Sequence, residues 1–362
     1  MRLGLLIYGS LETVSGGYLY DRKLVQHLRD AGDKVKIISL PWRSYPRHLG
    51  DNFSTFFRRQ LQGLEIDVLL QDELNHPSLF VLNERLKKWV DYPVLSIVHH
   101  LRSSEAHPVL WNMIYREIER TYLDKVDGFI FNSQTTRQAV ENLLGKETSG
   151  VVALPAGDRF TPPASQEVKT VDGPLRLLFL GNVIRRKGLD WALQELEQLP
   201  GGSWQLDVVG SLDVEPAFAA ALKRQVERMG AQERVRFHGA LSDAETQARL
   251  QASQVLVVPS SYEGFGIVYL EAMGFGVVPL GSALGGAGEV IEHGQNGFLV
   301  NPGQAGELRR ALEELLNQPG RLSEMSRAAR QRYLGFPGWE ASMQSARQFI
   351  AQFVQDWNAD EG

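Results

Sequence analysis

The 362-residue chain has no cysteine. Disulfides and thiolate-ligated zinc are excluded, and a reducing compartment is compatible with the composition. Long apolar runs are also missing. No stretch reaches the roughly 18 residues needed to span a bilayer. The apolar run in residues 1–8 is too short for a signal-peptide core and reads as a buried first strand. Charge of one sign is scarce as well: the net charge is −5, with +1 over residues 1–165 and −6 over residues 166–362. Neither half has the basic surplus of a nucleic-acid surface. The glycine-bearing loop Gly9–Gly17 does not fit G-x-G-x-x-G, which argues against a dinucleotide oxidoreductase.

What is present is an ordinary globular composition, 43% apolar and 22% charged, over a length that suits two domains. Short apolar runs predict strands at 3–8, 35–39, 68–71, 94–99, 128–132 and 151–154, with helical patterns such as 19–29 and 109–123 between them. Residues 161–174 are rich in proline and polar side chains and read as a linker. The alternation then restarts, with strands predicted at 175–180, 204–209, 235–238, 255–258, 277–280 and 297–300 and helices including 217–229 and 305–316. Strands alternating with helices imply parallel sheets covered on both faces. The expected fold is α/β: two Rossmann-like, doubly wound domains facing a central cleft. Their expected bounds are 1–165 and 166–337. The amphipathic segment 338–362, with Trp339, Met343, Phe349, Phe353 and Trp357, is expected to cross back to the first domain.

Ligands in such sheets sit at the carboxyl ends of strands. After 175–180 comes Gly181, then Arg185, Arg186 and Lys187. This run suits a diphosphate, with Lys187 as a point charge and an arginine for a forked contact; a solvated basic loop fits it too. After 255–258 comes Pro259-Ser-Ser-Tyr-Glu263-Gly264-Phe265-Gly266-Ile267, and a helix is expected to start near Gly266. Its free N–H groups and positive dipole end suit an anion. Glu263 in the loop and Glu271 one turn into the helix suit ribose and sugar hydroxyls, although a turn residue and an ordinary helix charge fit them equally. After 277–280, Gly281, Gly285, Gly286 and Gly288 form a third glycine loop before a further expected helix start. No Asp-x-Asp metal signature accompanies these segments.

Taken together, the RRKG run, the PSSYEGFG string with Glu263 and Glu271 eight residues apart, the GG-x-x-E-like loop and NGFLV resemble family 4 glycosyltransferases. The resemblance covers nearly the whole chain, and its most specific element is the E-x7-E pair. It implies a retaining enzyme of the GT-B fold, working without a metal or other cofactor on a UDP- or GDP-sugar. By resemblance, Glu271 would bind the ribose, Glu263 the donor sugar, and Lys187 with Arg186 or Arg185 the diphosphate. The loop holding Gly264 and the amides of Phe265, Gly266 and Ile267 would line the donor site. Gly16 and Gly17 match the glycine loop that lets the donor diphosphate approach the first domain. His99, with His100 as its rival, matches a histidine near the reacting sugar. Relatives often carry arginine where Asn182 stands, so the phosphate-binding arginine is left open between 185 and 186.

The implied acceptor is a glycan, a lipid-linked or a small-molecule hydroxyl, and no nucleic acid is expected. A nucleotide-sugar epimerase or a non-catalytic nucleotide-sugar-binding protein would keep much of the same site. A glycoside hydrolase would leave the phosphate-binding elements without purpose. Phe53, Phe56 and Phe57 would share one face of a helix beside Arg58 and Arg59. With so small a basic surplus, membrane association is expected to be weak or absent, and the placement cytoplasmic with at most peripheral membrane contact.

Overall fold

The computed structural model describes residues 1–163 and 168–360; the boundary expected between 165 and 166 lies outside the described residues. The chain forms two compact units, residues 1–155 with 339–362 and residues 156–338. Each is built on a six-stranded sheet with helices between the strands.

In the first unit the strands are β1 (Arg2–Tyr8), β2 (Lys34–Leu40), β3 (Val68–Asp72), β4 (Val94–Val98), β5 (Gly128–Phe131) and β6 (Gly150–Val152). They pair in parallel in the order β2-β1-β3-β4-β5-β6. β3, β4 and β5 are buried at every position, which is why they read as mostly apolar runs instead of alternating ones, with Gln71, Asp72 and Ser96 as buried polar exceptions. The order reverses between β1 and β3, so the loops beyond their carboxyl ends flank the crevice where such sheets take ligands.

The second unit contains β7 (Leu175–Leu180), β8 (Trp204–Val209), β9 (Val235–Gly239), β10 (Val255–Val258), β11 (Val278–Ser282) and β12 (Phe298–Val300). Their order, β12-β11-β10-β7-β8-β9, is again all parallel. It reverses between β7 and β10. The loops beyond these two strands are those carrying Lys187 and Glu263.

The helix Trp339–Asp360 belongs to the first unit. It buries Trp339, Met343, Ala346, Ile350 and Val354. His27 bonds to Gln344 at 3.0 Å, and Arg347 to Asp33 at 2.7 Å. Two expectations fail locally. Phe53 closes a 3-10 turn, and Ser54 caps a separate helix, Thr55–Gln62, by accepting the Phe57 N–H. The three phenylalanines therefore share no helix face: Phe57 is 3% exposed, Phe53 67% and Phe56 79%. The helix start expected beyond β11 is only a four-residue 3-10 turn, Gly286–Glu289.

Candidate active site

β7 delivers its chain to the turn Arg185–Lys187. Lys187 donates from Nζ to Glu263 Oε2 at 2.6 Å, and Ser260 Oγ donates to the same oxygen at 3.0 Å. Both ionic side chains are largely buried. Burial alone would raise the Glu263 carboxyl. The Lys187 ammonium, the Arg186 charge and the two hydrogen bonds outweigh it and hold the carboxyl down at about 2. Arg186 donates to the Tyr262 carbonyl at 2.8 Å and accepts, through its own carbonyl, the Ser261 N–H at 2.7 Å. Arg185 turns the other way, over the Phe218 ring and 4.0 Å from Glu215. Of the two arginines, Arg186 shares the neighbourhood of Lys187 and Glu263.

Gly266 caps the helix Ile267–Gly274 with φ at +91°. A side chain there would be strained and would strike the Tyr269 ring. Tyr269 donates its hydroxyl to the Val258 carbonyl at 2.8 Å, tying the helix to β10. Gly264, Phe265 and Ile267 are buried around this cap. Tyr269 donates its N–H back to the Gly266 carbonyl at 2.9 Å, and the N–H groups ahead of it have no preceding helical carbonyl to pair with.

Glu271, one turn on, is 2% exposed. Its Oε1 has no hydrogen-bond partner among the described residues. Burial pushes this carboxyl up to about 7, against the pull of Arg159. Arg159 itself is paired with Asp243. The third glycine loop supports this site instead of forming a helix start of its own. Gly286 donates its N–H to the Glu263 carbonyl at 2.7 Å, and the Leu284 carbonyl accepts the Glu263 N–H at 3.3 Å. A side chain on Gly285 would collide with the Glu263 carbonyl.

In the first unit, Gly16 and Gly17 open the helix Gly16–Asp30, capped by Ser15. His99 follows β4 directly, and a Cβ on Gly17 would stand 3.1 Å from its ring. His99 Nε2 lies 3.2 Å from Asp21 Oδ1. Burial disfavours the imidazolium, but Asp21, then Asp72 and Glu73, push His99 up to about 9. His100 turns to Glu105 at 2.9 Å. The two histidines thus have different hydrogen-bond partners, Glu73 lies within reach of both charges, and it is the His99 ring that Gly17 approaches. A second buried group, Glu73, His76 and Glu119, lies nearby. Burial raises both of its carboxyls to about 7.

Ser260, Arg159, Asp21 and Asp72 were not singled out from the sequence. Arg159 acts through contacts distant in the chain, which no spacing reveals, whereas Ser260 reaches Glu263 only three residues on. Asp21 carried a signal: it falls on the apolar stripe of Tyr18, Leu24, Val25 and Leu28, where a carboxylate needs a reason.

Residues 161–332 match the family model "Glycosyl transferases group 1". Glycogen synthase of Mycobacterium tuberculosis is 27% identical over 73% of this chain and 63% of its own length. D-inositol 3-phosphate glycosyltransferase of Xylanimonas cellulosilytica is 29% identical over 62% and 57%. The chain therefore matches about 60% of these relatives' own lengths. Among solved structures, sucrose-phosphate synthase from Thermosynechococcus elongatus superposes with a TM-score of 0.83 at 20% identity, covering 98% of this chain and 99% of that one. Anabaena HepE in complex with UDP and glucose gives 0.76 at 18%, covering 97% and 100%. These likenesses establish the two-domain GT-B fold.

Proposed function

We propose that the chain, whose residues 161–332 match the group 1 glycosyltransferases, moves a hexosyl group from a nucleoside-diphosphate sugar to an acceptor hydroxyl with retention of anomeric configuration. The observation that carries this reading is the second unit's switch point. There Lys187, Arg186 and Glu263 come together at the ends of β7 and β10, beside the start of the helix that carries the buried Glu271.

Glu271 offers its unpartnered oxygen to the ribose hydroxyls. The helix-start amides of Phe265, Gly266 and Ile267, with the loop at Gly264, hold the diphosphate. Lys187 and Arg186 stabilise the negative charge that develops as the anomeric C–O bond breaks and its electron pair passes to the leaving diphosphate. Lys187 is already paired, so donor phosphate competes with Glu263 for it; Glu263 is then released toward the sugar hydroxyls. In the first unit, Gly16 and Gly17 give close backbone approach, and His99 acts on the reacting sugar. The acceptor oxygen bonds to the anomeric carbon on the face the diphosphate leaves, and its proton passes to the leaving phosphate oxygen. No enzymic base and no metal ion are required in this scheme. The donor is a UDP- or GDP-sugar, and the acceptor a glycan, lipid-linked or small-molecule hydroxyl. HepE was solved with UDP and glucose, and the related Mycolicibacterium smegmatis mannosyltransferase is named for GDP-mannose.

The test is a panel of nucleotide sugars and acceptors with the product read by NMR. An anomeric coupling constant that matches the donor's is expected; an inverted one overturns the mechanism. Turnover of the donor to an epimer would instead support an epimerase.

A further inference from the structure

The first unit holds a buried group whose geometry asks for a role. We propose that Asp21 is the positioning residue that fixes the His99 ring, with Asp72 completing a buried acid–imidazole–acid group. The proposal rests on the assignment of His99 to the reacting sugar and adds to it how that ring is oriented and kept charged.

Asp21 is 0% exposed. A carboxylate taken out of water costs several kcal/mol unless it is paired. Its Oδ1 meets His99 Nε2 at 3.2 Å, and its Oδ2 is buried with no hydrogen-bond partner among the described residues. His99 is thus the side chain that pairs with it among the described residues. Asp72, 2% exposed at the end of β3, accepts the Leu74 N–H at 2.9 Å. A side-chain nitrogen or oxygen of each of Asp21, Asp72 and His99 lies within 4.8 Å of the other two.

The ring is confined on its other sides. Tyr20 meets it edge-on with centroids 5.3 Å apart, and Tyr20's own hydroxyl is held by the Ala153 carbonyl. A Cβ on Gly17 would stand 3.1 Å from His99 Cδ2 and 3.4 Å from Nε2, so the helix backbone passes close along that edge of the ring. With Nε2 committed to Asp21, Nδ1 is the nitrogen left for a ligand. The ionisable groups that face His99 are Asp21 and Tyr20 from the helix Gly16–Asp30, and Asp72 and Glu73 from the end of β3. Full ionisation of Asp21, Asp72 and His99 would leave a net negative charge in a buried space. One extra proton relieves it, and burial beside Asp21 places that proton on Asp72, whose carboxyl is pushed up to about 7. The arrangement keeps an imidazolium in one orientation beside the glycine loop at neutral pH. A fixed N–H donor there can hold an oxygen of the reacting sugar without reorganising during the reaction.

The experiment pairs an imidazole ¹⁵N NMR titration of the full-length protein with kcat and KM against pH, for the wild type, D21N and D21E. In the wild type, His99 is expected to stay protonated through pH 7.5. In D21N its midpoint should fall by at least about one unit, one unit being about 1.36 kcal/mol. At pH 8, kcat of D21N should fall about tenfold with KM little changed, recover toward pH 6, and be partly rescued in D21E. An unchanged His99 midpoint in D21N overturns the proposal, as does an activity loss equal at all pH values. If D21N does not fold, the wild-type titration decides, and a midpoint at or below about 6.5 is the contrary result. If the wild type transfers no sugar, the glycosyltransferase reading fails, while the NMR arm still decides the Asp21–His99 pairing.

Discussion

Lys187 and Glu263 are each other's solvation. A buried pair contributes little net stability, but removing one member strands the other charge, at a cost of about 3–5 kcal/mol. K187M should therefore lower the urea midpoint strongly, and the double variant K187M/E263Q should regain much of it while remaining inactive. A double variant no more stable than K187M would contradict the pairing. The pH sense follows from the carboxyl: Glu263 is held at about 2, below its ordinary 4.5. Its contribution is present above 4.5 and lost as pH falls toward 2. Glu271 runs the other way. Its carboxyl is raised from 4.5 to about 7, so the folded state binds its proton more tightly, and stability from this group drains as pH rises through that window. E271Q should therefore gain melting temperature over the wild type as pH goes from 5 to 8, and bind donor nucleotide more weakly. A melting difference that stays flat with pH would refute the buried, unpartnered state of Glu271.

At the scale of elements, the fold was legible because its strands are buried. Runs such as Leu175–Leu180 and Val255–Val258 carry the same apolar signal in sequence and structure. The loop chemistry at Lys187 and Glu263 was legible because it sits where those runs stop. Two kinds of feature were not. The pairing of Lys187 with Glu263 spans 76 residues, and no local spacing encodes such a contact. The Phe53–Phe57 stretch misled because periodicity alone overlooks Ser54, a capping residue that starts a new helix.

The terminal helix makes its own prediction. Ile350 is fully buried against the first unit, so I350A should cost about 2–5 kcal/mol in urea unfolding; an unchanged midpoint would mean the helix does not dock. No helix among the described residues is long and apolar enough to cross a membrane. Val109, Leu110, Trp111 and Met113 are exposed at the start of the helix Val109–Leu123. With little surplus basic charge around them, we expect little co-sedimentation with anionic vesicles. Substantial, salt-sensitive pelleting would contradict that.

At the scale of the molecule, each unit places its chemistry at the point where its strand order reverses. In the mechanism proposed above, cationic side chains and helix-start amides of the second unit take the part of a metal ion in neutralising the diphosphate. Turnover should therefore survive EDTA; loss restored by Mg²⁺ or Mn²⁺ would show that these groups do not suffice. The central claim is that the Lys187–Glu271 site takes a nucleoside-diphosphate sugar, and calorimetric titration of UDP- and GDP-sugars into the wild type, K187A and E271A tests it most directly. The wild type is expected to bind at least one donor. Each folded variant should bind that donor about ten- to a hundredfold more weakly, the equivalent of losing a charge-assisted bond of about 1.5–3 kcal/mol. Binding of no nucleotide sugar, or equal affinity in all three proteins, would contradict it.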